Sequence, residues 1–174
     1  MLRRETGASH DRLDKAMAGL HLADRADYAL FLHLQLAARA PIERWAALYC
    51  EEALRPPESV PLLQHDLAQL CAAGELPEST FEPPQCAHPL GLAWAIAGSH
   101  LGNRALLMRL ERQGTDLPTA FLADPRLSMF WKRLRPQLEV SAAEAPAAAA
   151  LAAAEAVFAC FTQALGACEG RLAA

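Results

Sequence analysis

An all-α fold follows from three features of the sequence. Aromatic residues are only 6% of the 174, β-branched residues are sparse, and Ala, Leu, Glu, Arg and Gln dominate, which is the vocabulary of helices rather than sheets. Apolar residues recur at three- and four-residue spacing, as on the inner face of a surface helix. Prolines and glycines then cut the chain into pieces of helical length, giving about seven helices, some short. At this length, with 53% hydrophobic and 21% charged residues, the chain 1–174 reads as one domain with a core large enough to enclose a ligand.

The first helix is expected over about Leu2 to Ala18. Leu2, Thr6, His10, Leu13 and Met17 share its inward face, while Arg4, Asp11 and Lys15 lie largely opposite. The second, about Asp24 to Arg39, is capped by Asp24 and carries Tyr28, Phe31, Leu32 and Leu36. A third starts near Pro41, where the missing N–H suits a first turn, and includes Trp45, Leu48 and Tyr49. The fourth, about Ser59 to Ala73, opens on Ser59 as the expected cap and stops at Gly74. Residues Glu75 to Pro89 read as a loop. From about Leu90 to Arg112 the helical pattern returns, although Gly91, Gly98 and Gly102 lie inside it, each at a cost of up to about 1 kcal/mol relative to alanine. The last long helix, about Ala147 to Gly166, is an alanine-rich block suited to close packing, followed by Val157, Phe158, Phe161 and Leu165.

Several function classes are disfavoured. Sixteen Lys and Arg against 20 Asp and Glu give a formal charge of −4, so no positive field gathers phosphate backbones, and no nucleic-acid partner is expected. The apolar stretch from Ala145 to Leu165 is interrupted by Pro146, Glu155, Thr162 and Gln163, and reads as a packed helix rather than a membrane span. Arg3, Arg4 and Glu5 follow Met1 with no apolar run or cleavage site, which predicts a cytoplasmic protein. Cys50, Cys71, Cys86, Cys160 and Cys168 contain no C-x-x-C pair and read as buried thiols. The six histidines are scattered, so a metal site built wholly by protein is not indicated. Nucleotide loops, nucleophile elbows and calcium loops are also missing, so any chemistry needs an imported cofactor.

Two constellations remain. Thr6, His10 and Asp14 follow at four-residue spacing and stack on one helical stripe, where Asp14 can accept from one imidazole nitrogen of His10 and leave the other for a metal. Such a carboxylate fixes the tautomer and orientation that an axial haem ligand requires. The alternative is an ordinary core or surface histidine. In Gly98-Ser99-His100-Leu101-Gly102-Asn103, two glycines one turn apart strip side chains from one helical face. This either lets a flat ligand approach the backbone or permits a close helix crossing or kink.

Taken together, these segments resemble the haem oxygenase family, in particular its compact bacterial biliverdin-forming branch associated with bacteriophytochromes. The run Leu2-Arg3-Arg4-Glu5-Thr6-Gly7-Ala8-Ser9-His10 resembles the family's basic residue, threonine and proximal histidine, with Asp14 in the acidic position a turn later. Asp27 to Leu32, Pro41-Ile42-Glu43 and Leu62 to Leu70 are similar to its core helices, in order. Ala93 to Arg104 resembles the distal-helix pattern of apolar residues followed by G-S-x-L-G, and Trp131, Phe158 and Phe161 extend the likeness over nearly the whole chain. Departures from the pattern are the small Ala93 and Ala95 before the glycines, Ser99 where animal enzymes have aspartate, and Asn103 in place of a frequent second glycine.

The resemblance implies a helical bundle with haem, both substrate and cofactor, between the first helix and the glycine-bearing helix. His10 would be the axial iron ligand, Asp14 its orienting partner, Arg3 the partner of a haem propionate, and Phe161 a pocket wall. Gly98 and Gly102 would admit the haem face, and Ser99 and Asn103 would tether distal water. The implied reaction opens haem to biliverdin by three oxygenations, releasing iron and carbon monoxide, with electrons from a reductase or ferredoxin and a bacteriophytochrome as candidate recipient of the pigment. The rival is a haem carrier or sensor on the same fold. His100 lies about 200° around a regular helix from Gly98, so it should face away from the haem. Lys132, Arg133 and Arg135 read as a solvated face, with a propionate or reductase contact as the alternative.

Overall fold

The structure, a computed structural model, describes residues 2–72, 77, 79–144 and 147–172. Among these, nine α-helices and no strand are present: α1 (Leu2–Glu5), α2 (Gly7–Met17), α3 (Arg25–Tyr49), α4 (Val60–Gln69), α5 (Pro89–Gly98), α6 (His100–Arg112), α7 (Ala120–Ala123), α8 (Pro125–Glu144) and α9 (Ala147–Leu172), with a 3₁₀ turn at Glu52–Leu54. The all-α expectation is met. Gly74, Glu75, Leu76 and Glu78 lie outside the described residues; the described part of the expected loop carries no helix until α5 begins at Pro89.

Where the elements depart from expectation, hydrogen bonding supplies the reason. The expected first helix is divided at Thr6, whose hydroxyl (3.0 Å) joins its own N–H (2.9 Å) in donating to the Leu2 carbonyl. The expected second and third helices are one, because α3 runs through Pro41. Proline has no N–H for the carbonyl four residues earlier, and that carbonyl, of Ala37, instead accepts from the Ser79 N–H at 3.1 Å. Pro136 is likewise inside α8 rather than at its end. Ser59 precedes α4 without capping it through its side chain. The Glu43 carboxylate, reaching from α3, accepts from the N–H groups of Ser59 (2.7 Å) and Val60 (3.2 Å). The expected cap at Asp24 is present, accepting from Ala26 and Asp27. The glycine-bearing helix is two helices, broken at Ser99.

Helix α5 is the central element. Leu90, Gly91, Leu92, Ala93, Ile96 and Ala97 are all buried, so it is apolar around most of its circumference and packs between α9 and α8. Leu92, Ile42, Phe130, Leu134 and Val157 lie in the core cluster built around it. Each such aliphatic or aromatic side chain contributes roughly 1.5–3 kcal/mol on burial. A second cluster joins the first half of α3 to α4, α6 and α7 through Tyr28, Phe31, Leu63, Leu110 and Phe121. There the Asp66 carboxylate, with no solvent exposure, accepts from the N–H groups of Ala120 (3.0 Å) and Phe121 (2.9 Å), and the Tyr28 hydroxyl donates to the Pro118 carbonyl at 2.8 Å. Burial, aided by the neighbouring Asp66 charge, raises the Tyr28 phenol above its ordinary range. These bonds fix the short α7 from two sides.

Cys50, Cys160 and Cys168 are buried as expected, but Cys71 and Cys86 are exposed, one just after α4 and the other in the segment before α5. By length and composition α9 could cross a membrane, since Ala147–Cys168 has a mean hydropathy of 1.6. In this fold its Ala150, Ala153, Ala154, Val157, Cys160 and Ala164 are buried against the other helices.

Candidate functional site

The His10–Asp14 pair forms as the spacing requires. His10 Nδ1 and Asp14 Oδ2 are 3.1 Å apart, one turn of α2. Donation from Nδ1 to the carboxylate leaves the Nε2 lone pair as the coordinating position of the ring. The histidine is not on an inward face, however. The His10 side chain is 61% exposed and Asp14 70%, and no residue of α2 is fully buried. The reason is that α2 lies along one flank of α9, anchored by buried Thr6 at its start and by the Ser9 hydroxyl donating to Glu155 at 2.8 Å. Beyond Thr6 the stripe turns outward, and the His10 ring meets Phe158 of α9 edge-on, centroids 6.2 Å apart.

The three glycines of α5 and α6 separate into two kinds. A Cβ at Gly91 would fall 1.8 Å from the Ala150 carbonyl oxygen, so α5 and α9 cross there at a distance that only glycine allows. At Gly98 and Gly102 a Cβ would meet nothing within 4 Å. The close crossing thus explains Gly91 and neither of the other two. Nothing, the His10 ring included, lies within 4 Å of a Cβ at Gly98, and α9 packs against both α2, which carries His10, and α5, which carries Gly98.

Ser99 makes the break between α5 and α6. Its hydroxyl donates to the Ile96 carbonyl at 2.8 Å and accepts from Arg39 Nη2 at 3.0 Å. These two bonds take the Ser99 proton and one of its lone pairs, leaving one lone pair as an acceptor. Asn103 is half-buried on α6, and its N–H donates to the Ser99 carbonyl at 3.0 Å. The His100 Nδ1 lies 2.8 Å from the Ala97 carbonyl, and its ring stacks at a tilt on Trp131 of α8, 5.6 Å away. That makes it an interhelical histidine.

Arg39 is the residue that sequence reasoning missed. It is 1% exposed, with Nε donating to Gln35 (3.1 Å) and Nη2 to Ser99. Its Cζ lies 5.1 Å from the ring centroid of Phe121 and 6.0 Å from that of Phe161. Burial pushes its guanidinium down to about 10, against a partial upward pull from Glu43. A signal was available: Ala37-Ala38-Arg39-Ala40-Pro41-Ile42 sets one cation in a run of small apolar residues. Of the remaining expected residues, Arg3 is exposed on α1, Phe161 is half-buried beside Arg39, and Lys132 and Arg133 are exposed on α8.

Arg39, Ile42, Glu43, Arg55, Glu58 and Ile96 line a small recess of about 10 Å³, near the size of one water. A wider cleft of about 430 Å³ lies between the start of α4 and the α7–α8 junction, lined by Glu58, Pro61, Leu62, Asp124 and Arg126 among others. Neither is lined by His10, Asp14, Arg3, Phe161, Gly98, Ser99, Gly102 or Asn103. Among the described residues, no three His, Cys, Asp or Glu side chains converge as a metal site. Comparison of the chain with protein-family models, with curated proteins and with solved structures finds no match.

Proposed function

We propose that this protein is a haem oxygenase: it binds haem through His10 and converts it to biliverdin, iron and carbon monoxide, using dioxygen and electrons from a separate reductase or ferredoxin. The observation that carries the reading beyond the motif resemblance is the His10–Asp14 pair, with its 3.1 Å contact through Nδ1 and a solvent-accessible ring. A single axial nitrogen suits a ligand whose other four metal positions are filled by its own macrocycle. The open faces of Gly98 and Gly102 suit a flat partner, since those glycines serve no helix contact. Arg3, exposed on α1 and seven residues before His10, is the candidate for a propionate. The proposed setting is the cytoplasm, with a bacteriophytochrome as one recipient of the pigment.

The commitment of the Ser99 hydroxyl to Arg39 and Ile96 favours one alternative, a haem carrier or sensor that binds but does not turn haem over. Haemin titration followed by single turnover separates the readings. The expected result is one haem per chain, loss of the axial-nitrogen spectrum in His10→Ala but not in His100→Ala, and biliverdin in the extracted pigment once reductant and oxygen are supplied. Stable haem without biliverdin establishes the carrier, and a wild-type spectrum indistinguishable from His10→Ala removes both readings.

A further inference from the structure

Helix α6 has one apolar face more than a surface helix needs. Its inward face, with Leu106, Leu107 and Leu110, packs into the second core cluster. Its outward face nevertheless carries Leu101 at 65% exposure and Met108 at 49%. On a regular helix Leu101, Ala105, Met108 and Arg112 fall within about 60° of one another, and Arg104 and Arg109 stand on the two edges of that stripe. Ala105 and all three arginines are exposed, and neither Arg104 nor Arg109 is paired with a carboxylate among the described residues. Glu111, the one acid of α6, lies about 90° from the centre of the stripe. Gly102 lies about 90° away on the other side, so the stripe is separate from the glycine face. Charge along the chain follows the same pattern. Residues 104–135 hold seven Arg and Lys against three Asp and Glu, while the rest of the chain holds nine against 17. Among the described residues, three of the five exposed large hydrophobic side chains, Leu101, Met108 and Met129, lie in that basic segment.

We propose that the outward face of α6 docks on an anionic phospholipid bilayer, with Leu101 and Met108 in the headgroup boundary and Arg104, Arg109 and Arg112 at lipid phosphates. Apolar side chains bordered by arginine are the make-up of a helix that lies on a membrane surface. The size of the face favours lipid over an acidic protein. The 13 residues of α6 span roughly 20 Å, so the stripe covers on the order of 200 Å². That is well short of the roughly 800 Å² that each partner gives to a stable protein interface, whereas a bilayer needs no matching shape. The chain as a whole, at −4, is repelled by an anionic surface, so the attraction has to be local.

The test sediments the protein with vesicles of equal parts phosphatidylcholine and phosphatidylglycerol, and separately with vesicles of phosphatidylcholine alone, in low and in high salt. The expected result is binding to the anionic vesicles only, weakened by salt. Each arginine beside an anionic surface corresponds to about fivefold in affinity. Arg104→Gln/Arg109→Gln should therefore bind on the order of 20-fold more weakly, and Leu101→Ser/Met108→Ser at least about fivefold more weakly. Both should keep wild-type helicity by circular dichroism, because all four side chains are exposed. Arg12→Gln/Lys15→Gln removes the same charge from exposed positions of α2 and should bind as the wild type does. Wild-type protein that stays in solution with the anionic vesicles overturns the proposal and leaves the stripe to an acidic protein. Equal binding to the neutral vesicles, or an equal loss in the α2 pair, overturns the assignment of the attraction to the α6 arginines. Unchanged binding by the serine pair overturns the docking of the apolar stripe. Vesicle binding is read without haem, so failure here is distinct from failure of the haem reading.

Discussion

Two stretches of the glycine-bearing segment use the same residue for opposite ends. At Gly91, the α5 backbone lies so close to α9 that a methyl group would sit 1.8 Å from the Ala150 carbonyl oxygen. At Gly98 and Gly102, the same methyl group would touch nothing within 4 Å. A helical glycine costs roughly 0.5–1 kcal/mol relative to alanine, and at Gly91 the α5–α9 crossing offsets that cost. The other two bring no packing return. The contrast teaches that close packing and open access are told apart by what surrounds the missing side chain, not by the glycine or its spacing.

The sharpest way to break this contrast is to fill the crossing. In Gly91→Ala the obstacle is backbone, not a flexible side chain, so α5 and α9 must move apart at Ala150. Overpacking of a core typically costs 1–3 kcal/mol, and a clash with an immovable carbonyl lies at or above the top of that range, about 3 kcal/mol. Urea unfolding of the haem-free protein measures it. A loss below about 1 kcal/mol would mean that the crossing is loose, and would remove the distinction between Gly91 and the other two glycines.

A second contrast, between two aspartates, gives the next largest effect. Asp66 is fully buried and serves two backbone N–H groups at the start of α7, whereas Asp14 is mostly exposed and serves one imidazole. Asp66→Ala leaves both N–H groups unsatisfied in the second core cluster, at a cost of about 2–4 kcal/mol. It should also speed amide exchange at Ala120 and Phe121 before it affects exchange in α9. Loss confined to global stability, with no local change at these amides, would show that α7 is held by packing alone.

How much of this was legible in the sequence follows a physical line. Helical character, the Asp24 cap and the His10–Asp14 pair depend on residues within a few positions of one another, and the structure shows all three. The continuity of α3 through Pro41 was not legible, because the carbonyl freed by the proline is taken up by Ser79, far along the chain. The same holds for the cap of α4, supplied by Glu43 from another helix in place of Ser59. Exposure of His10 followed from α2 packing chiefly along one flank of α9, which amphipathic spacing does not encode. Ser99, at the α5–α6 break, and Arg39, on α3, are far apart in the chain, so the bond that engages the Ser99 hydroxyl appears only in the folded chain.

Alanine at the open positions sharpens the first contrast from the other side. Gly98→Ala and Gly102→Ala have room for the methyl group, so each should stabilise the haem-free protein by about 0.5–1 kcal/mol. Bulkier Gly98→Leu should cost haem affinity while leaving helicity unchanged. The pairing of the two results is the informative measurement: a destabilised haem-free protein in either alanine variant would place a hidden contact at that glycine and return it to the packing class.

The smallest effect on folding, and the most direct test of the proposed site, is expected from Asp14→Asn. An exposed histidine–carboxylate pair on one helix contributes little, so thermal stability should stay within about 0.5 kcal/mol of wild type. The carboxylate nevertheless sets the electron-donating power of the ring through Nδ1, and replacing such a partner of a metal-ligating histidine typically lowers metal affinity by about 10–100-fold. Asparagine keeps the shape and can still accept from Nδ1, but it withdraws the charge. Haem bound by Asp14→Asn should therefore dissociate faster, and its ferric–ferrous potential should rise, because a less basic imidazole stabilises the ferric state less. Transfer of haem to an excess of apomyoglobin reads the first effect and a spectroelectrochemical titration the second. If both match the wild type, the 3.1 Å contact is a surface pair with no bearing on the iron, and His10 loses the feature that distinguishes it from the other exposed polar side chains of α2.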